Sequence, residues 1–265
     1  MIPQDLAQRA TASPRTVLIT GATGGIGGAL ARVYAEPDRL LVLQGRDGDR
    51  LDELAAHCQG QGARVRTRIL DLRDRAALVA WLRRLVQEEA LDLVIVNAGV
   101  NTNVGPDGAG EPWPAVEELI AVNVLAAMAT VDAVLPSMRA RASGQLALVS
   151  SLAGYYGLPM TPSYCASKAA IKAYGEAIRG WLAVEGIRVS VIMPGYVESK
   201  MCREMPGPKP FLWSAERAAR RIRRGLEHNE ARISFPFPLN LGTWFLAVLP
   251  AAVSGRILRL LGYRA

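Results

Sequence analysis

Cysteine and histidine are scarce in this chain of 265 residues, three of the first and two of the second. Cys58, Cys165 and Cys202 lack metal-ligand spacing and are odd in number, so free thiols in a reducing compartment, the cytoplasm, are expected. His57 and His228 lie far apart in sequence, which argues against a histidine-based metal site or catalytic triad; no metal is expected. Aromatic residues make up only 6% of the chain, and nothing past the first dozen residues is low in complexity. The stretch MIPQDLAQRATASPR has no apolar core, so a secretory signal is not expected. The stretch 239–253 is interrupted by Asn240, Gly242, Thr243 and Pro250 and falls short of the ~20 residues that span a bilayer.

Acid is also in deficit, and the net charge is +7. Much of the excess lies in ERAARRIRRG (216–225), after the capping residue Ser214. Ala218, Ile222 and Leu226 share one helical face there with arginines opposite, which reads as a solvated helix. No nucleic-acid recognition module accompanies it, and no nucleic-acid partner is expected.

About half the residues are apolar, and they recur in strand-length runs: TVLIT (16–20), LLVLQ (40–44), VRTRIL (65–70), LDLVIVNAG (91–99), QLALVSS (145–151), IRVSVIMPG (187–195) and ISF (233–235). Helical periods separate them at about 29–35, 50–58, 71–89, 115–140 and 162–184. Near-continuous Val/Ile/Leu strands alternating with helices predict one α/β domain over 1–265: a doubly wound parallel sheet of about seven strands, helices on both faces. An apolar helical extension over 239–265 is expected beyond it.

Between the first strand and first helix stands TGATGGIG (20–27). Gly21, Gly25 and Gly27 let the backbone turn sharply and approach a pyrophosphate, whose charge the helix N-terminus favours. The second strand ends in QGRD. Gly45 stands where an acid would bind the ribose hydroxyls of NAD, and Arg46 beside it suits a 2′-phosphate, although Asp47 follows. NADP(H) is therefore expected, with NAD(H) as the alternative.

Tyr164 and Lys168 are one helical turn apart in SYCASKAA (163–170), so they project from one face. An ammonium beside a phenol stabilises the phenolate, and the pair can exchange a proton with a substrate oxygen near neutrality. Small neighbours leave room for cofactor and substrate. Ser151, at the carboxyl end of the fifth strand, can donate to a carbonyl oxygen as negative charge develops there.

With TGATGGIG, Asp71-Leu72, the NAG of Asn97, Ala98 and Gly99, the helix-borne Asn123, Ser151, YCASK and Pro194-Gly195 in this order, the chain resembles the short-chain dehydrogenases/reductases over residues 16 to about 200. That resemblance implies a Rossmann-type fold and a catalytic set of Asn123, Ser151, Tyr164 and Lys168. Tyr164 would be the general acid in reduction and the base in oxidation. Lys168 would lower its pKa and hold the nicotinamide ribose, Ser151 would polarise the carbonyl, and Asn123 would hold a relay water. The cofactor would lie against Gly21, Thr23, Gly24, Gly25, Ile26, Gly27 and Arg46, with Asp71 and Leu72 near the adenine. Asn97, Ala98 and Gly99 would flank the cleft, Tyr164 and Lys168 would face it, and Pro194, Gly195, Val197 and Ser199 would close it. The chain departs from the family pattern at Val96 (an asparagine in the double-Asn form), at Ser199 (a threonine) and at Gly24 (basic in many NADP-preferring members). A homodimer or homotetramer built on the helices of Asn123 and Tyr164 is implied as well.

The segment 196–213 is expected to be a substrate loop whose Met, Phe and Trp suggest an apolar ligand. In the tail, Val253, Ile257, Leu260 and Leu261 are expected to form one face, with Arg256 and Arg259 opposite. That face would pack on the fold or a partner subunit, or lie on an anionic membrane surface. The expected activity is NADP(H)-dependent interconversion of a hydrophobic secondary alcohol and its ketone. Its rivals are a β-ketoacyl or enone reductase, a non-catalytic nucleotide-binding scaffold and a membrane-attached interaction protein.

Overall fold

A computed structural model describes residues 13–105, 107–205 and 207–263. The chain runs β1 (Thr16–Ile19), α1 (Gly25–Tyr34), β2 (Leu40–Gly45), α2 (Gly48–Gly60), β3 (Arg64–Ile69), α3 (Arg75–Glu88) and β4 (Leu93–Val96). It continues through α4 (Trp113–Ile120), α5 (Ala127–Ala140), β5 (Gly144–Val149), α6 (Pro162–Leu182) and β6 (Ile187–Pro194). The last elements are α7 (Lys200–Glu204), α8 (Ala215–Glu227), β7 (Arg232–Phe235), α9 (Leu239–Val248) and α10 (Ala251–Leu260).

The seven strands form one parallel sheet in the order β3-β2-β1-β4-β5-β6-β7, the doubly wound Rossmann-type arrangement the apolar runs predict. Every residue of β1, β2, β4 and β5 is buried. Such strands need cover on both faces: α1, α2 and α8 pack on one, α3, α5 and α6 on the other. The exception is β3. It is an edge strand, largely exposed, and its alternating arginines discourage further strand pairing.

Helix boundaries also move for local reasons. α1 begins four residues before its expected start, because Gly24 is extended (φ −77°, ψ 166°) and the glycines after it enter the helix. α3 begins at Arg75, where the Asp74 carboxylate accepts from the Ala77 N–H. The Ser214 hydroxyl accepts from the Arg217 N–H, and Ala218, Ile222 and Leu226 are buried beneath α8, as their spacing predicts. Between α4 and α5 the chain makes one π-helical turn, Ala121–Ala126, which carries Asn123 inward.

The strand order reverses between β1 and β4. A crevice opens there beyond the carboxyl ends of the strands, and the rest of the site grows from it.

Candidate functional site

The turn after β1 is held by side chains from its neighbours. Gln44, buried at the end of β2, accepts from the Gly21 N–H (3.0 Å) and donates to the Leu70 carbonyl (2.7 Å). From β4, Asn97 Nδ2 donates to the carbonyls of Thr20 and Gly21, both at 3.0 Å. Gly21 has φ +65°, and a Cβ there would lie 2.7 Å from the Ala98 Cα. A Cβ on Gly25 would meet the Glu198 carbonyl at 2.7 Å. No side chain caps α1, and its first turn carries no acid, so its leading N–H groups and partial positive charge remain for an anion. This wall fits the pyrophosphate of a dinucleotide.

The turn opens into a cavity of about 940 Å3 that continues past β5 and β6 to the C-terminal helices. Of the expected cofactor residues, Gly21, Thr23, Gly24, Gly25, Ile26, Arg46, Asp71, Leu72 and the segment Asn97, Ala98, Gly99 line it. So do Pro194, Gly195, Val197 and Ser199. Gly27 does not. Its Cβ would stand 2.3 Å from the Gly21 carbonyl oxygen, so it serves the packing of α1 on the turn. At the end of β2, a Cβ on Gly45 would meet Leu51 at 2.5 Å and Thr23 at 2.9 Å. Arg46 is exposed and pairs with Glu118 at 3.2 Å, both on the cavity wall, while the Asp47 carboxylate is spent capping α2. The Arg73 guanidinium beside Asp71 holds that carboxyl below the usual carboxylate range.

Ser151, Tyr164 and Lys168 meet on the same wall. Tyr164 and Lys168 are buried, on the face of α6 turned to the sheet. Lys168 Nζ lies 5.6 Å from the Tyr164 ring centroid and donates to the Val149 carbonyl (3.0 Å). The expected acidification of the phenol is reversed here. Burial pushes Tyr164 up to about 12, with the Ser151 hydroxyl drawing it back only in part. Burial also brings the Lys168 ammonium down to about 8. The low dielectric opposes the charged form of each group.

Asn123 stands behind this trio rather than on the wall. Its Oδ1 accepts from the Val100 N–H (2.8 Å), and its Nδ2 donates to the Val100 carbonyl (2.9 Å) and Ser167 Oγ (3.1 Å). A Cβ on Gly99 would lie 3.2 Å from Asn123 Oδ1 and 3.4 Å from Lys168 Nζ, so glycine lets both converge. Three supports were missed from the sequence. Gln44 is one, signalled by a lone amide in an apolar strand. Ser150 is another, donating to the Lys168 carbonyl at 2.7 Å. The third is Glu111, whose carboxylate accepts from the N–H (3.0 Å) and hydroxyl (2.5 Å) of Ser163, next to Tyr164.

The far end of the cavity is apolar. Met201 and Met205 from the 196–213 loop face it, with Leu239, Phe245, Leu246 and Leu249 of the α9 region and Ile257, Leu258 and Leu261 of the α10 region. Two loop aromatics are not where an apolar-ligand reading puts them. Phe211 is exposed, and Trp213 stacks on Phe235 at 5.1 Å, with Arg217 above it. Of the expected tail face, Ile257 and Leu261 line the cavity and Val253 and Leu260 are exposed, while α10 buries Leu258 and Ser254, whose Oγ donates to the Leu246 carbonyl (2.8 Å). The Tyr263 hydroxyl meets that of Tyr196 at 3.1 Å, tying the tail to the loop after β6.

The sequence profile described as short chain dehydrogenase matches residues 15–208. An uncharacterized oxidoreductase of Myxococcus xanthus is 37% identical over 239 residues, covering 90% of this chain and 94% of that protein. Estradiol 17-beta-dehydrogenase 11 of Homo sapiens is 28% identical over an alignment of 269 positions, 97% of this chain and 89% of that one. Among solved structures, a short-chain dehydrogenase of Sphingobium yanoikuyae in complex with NADPH matches with a TM-score of 0.76 at 25% identity, over 94% of this chain and 96% of that chain.

Proposed function

The chain belongs to the short-chain dehydrogenase family, as a nicotinamide-dependent oxidoreductase acting on CH–OH donors, and we propose that it interconverts a hydrophobic secondary alcohol and its ketone with NADP(H). The observation that carries this reading is the position of Ser151. It stands two residues past the end of β5, between the glycine turn after β1 and the apolar wall after β7, with Tyr164 and Lys168 on the same cavity.

A bound nicotinamide supplies the hydride in reduction and accepts it in oxidation. The protein's own groups manage the oxygen. Tyr164, held protonated by burial, gives its proton to the carbonyl oxygen as the alcohol forms, and Ser151 donates a hydrogen bond to the same atom. Lys168, which burial brings down to about 8, stands on the cleft side of Asn123 and would steady the cofactor ribose. Arg46 supports the NADP(H) preference. It is the cation at the end of β2, and a 2′-phosphate would compete with Glu118 for its guanidinium. The apolar wall and the name of the human relative support a lipophilic substrate. The same reading makes the protein a homodimer or homotetramer built on α4–α5 and α6, where Trp113 and Trp181 are exposed, working in the cytoplasm or at a membrane surface.

NADPH oxidation with a panel of aliphatic and aromatic ketones tests the assignment. Tyr164→Phe is expected to lower kcat by roughly 10²–10⁴ while leaving NADPH affinity intact. Tight NADPH binding with no turnover of any ketone by the wild type would instead favour the scaffold reading.

A further inference from the structure

Residues 233–255 carry no charged side chain, and no acid occurs between Glu230 and Ala265. α9, at the centre of this stretch, is covered on one side only. Leu246 is buried, whereas Leu241, Trp244 and Val248 are 48%, 42% and 57% exposed. Their spacing of three and four residues makes one stripe. Phe237 and Leu260, also strongly exposed, add to the apolar surface of the segment. Its polar groups are satisfied internally: Asn240 Nδ2 donates to Ser234, and Thr243 Oγ1 to the Leu239 carbonyl. An exposed apolar stripe of this kind marks an interaction site.

Charge decides between the occupants. A second copy docked through the same segment would present Arg256 and Arg259 with a surface that carries no acid to pair them. Both arginines are exposed and make no ion pair among the described residues. An anionic bilayer satisfies both halves of the surface. The Leu/Trp/Val stripe enters the interface, where tryptophan is favoured, and the arginines reach lipid phosphates.

The opposite side of the same helices faces the cavity through Phe245, Leu249 and Ile257, and Phe245 and Leu261 are both cavity-lining and half-exposed. We propose that α9 and α10 dock on an anionic lipid surface, so that substrate dissolved in the lipid enters the cavity past Phe245 and Leu261. The delivery half rests on the oxidoreductase reading; docking does not.

The full chain is tested by co-sedimentation with vesicles of phosphatidylcholine, with and without phosphatidylglycerol, in the absence of NADPH and ketone. Turnover of a water-soluble ketone is measured separately without vesicles. Wild type is expected to pellet with the anionic vesicles. Leu241→Ser/Trp244→Ser should lose that binding, and Arg256→Gln/Arg259→Gln should partition roughly thirtyfold less. Both variants should keep wild-type circular dichroism and wild-type turnover, since none of the four side chains lines the cavity. Wild type remaining in the supernatant, or the Leu241/Trp244 variant pelleting like wild type, would overturn docking. A dimer that the same variant dissociates, without vesicle binding, would give the stripe to a second copy. Vesicle binding by a wild type that turns over no ketone would remove delivery and leave docking standing.

Discussion

One added methyl group would meet opposite conditions at the two ends of the cavity. At Gly27 it would stand 2.3 Å from the Gly21 carbonyl oxygen and 2.7 Å from Asn97 Nδ2; at Gly255, in α10, nothing lies within 4 Å. The first end is fixed by directed hydrogen bonds from Gln44 and Asn97 and by backbone in contact with backbone. The second is held by apolar contact and a few bonds, such as Ser254 to Leu246. A cofactor has one shape, and its cradle tolerates no change. Apolar substrates vary, and a wall of Met, Leu and Phe adapts to them. Gly27→Ala is therefore the strongest way to break the contrast. It is expected to cost roughly 1–3 kcal/mol through overpacking and to weaken NADPH binding at least tenfold, read by thermal melting and fluorescence titration. Unchanged melting and affinity would show that the turn relaxes freely.

The middle of the cavity adds a buried cation. Because burial lowers Lys168 from its ordinary 10.5 to about 8, the unfolded chain binds more protons than the folded one between those values. The charging penalty is therefore fully present below pH 8 and is relieved as pH rises towards 10.5. Lys168→Met should raise stability at pH 7 by on the order of 2 kcal/mol, with the advantage shrinking through that window, while turnover is lost. A stability gain that does not change with pH would place the cause in packing rather than in charge.

The two ends also differ in how far the sequence discloses them. β1, β2 and β4 are legible because their two-sided burial leaves near-continuous Val, Leu and Ile, broken only by Thr16, Gln44 and Gly45. The glycine turn is legible because only glycine answers its geometry. β3 is legible as a strand in VRTRIL, but its place at the edge of the sheet depends on the strand order, which no local pattern contains. Gln44 and Glu111 act on partners 23 and 52 residues away, which no local pattern reveals. In the tail, α10 is turned so that Ser254 bonds the Leu246 carbonyl. Periodicity selected Val253, Ile257, Leu260 and Leu261, whereas the fold buries Ser254 and Leu258. The catalytic trio is intermediate. Its membership is readable from spacing, but the direction of its pKa shifts depends on burial that spacing does not contain.

At the rim of the rigid end, Arg46 sharpens the contrast without disturbing the fold. It is exposed, and its partner Glu118 is half-exposed, so the pair itself contributes little to stability. Arg46→Ala should leave the melting temperature alone while lowering NADPH affinity roughly tenfold, about the worth of one charge-assisted contact, with NADH affinity unchanged. Equal affinities for both cofactors in wild type and variant would reassign the preference.

The smallest effect lies at the adaptable end. Gly255 is in the interior of α10, away from the cavity wall, and glycine there costs backbone entropy without any close approach to justify it. Gly255→Ala is expected to raise stability by ~0.5–1 kcal/mol and to leave turnover as it is. If α10 is instead packed against a surface that needs the bare backbone, the alanine would destabilise the chain or weaken vesicle binding. The sign of so small a change thus reports whether the tail is free on its outer side or already committed to a partner.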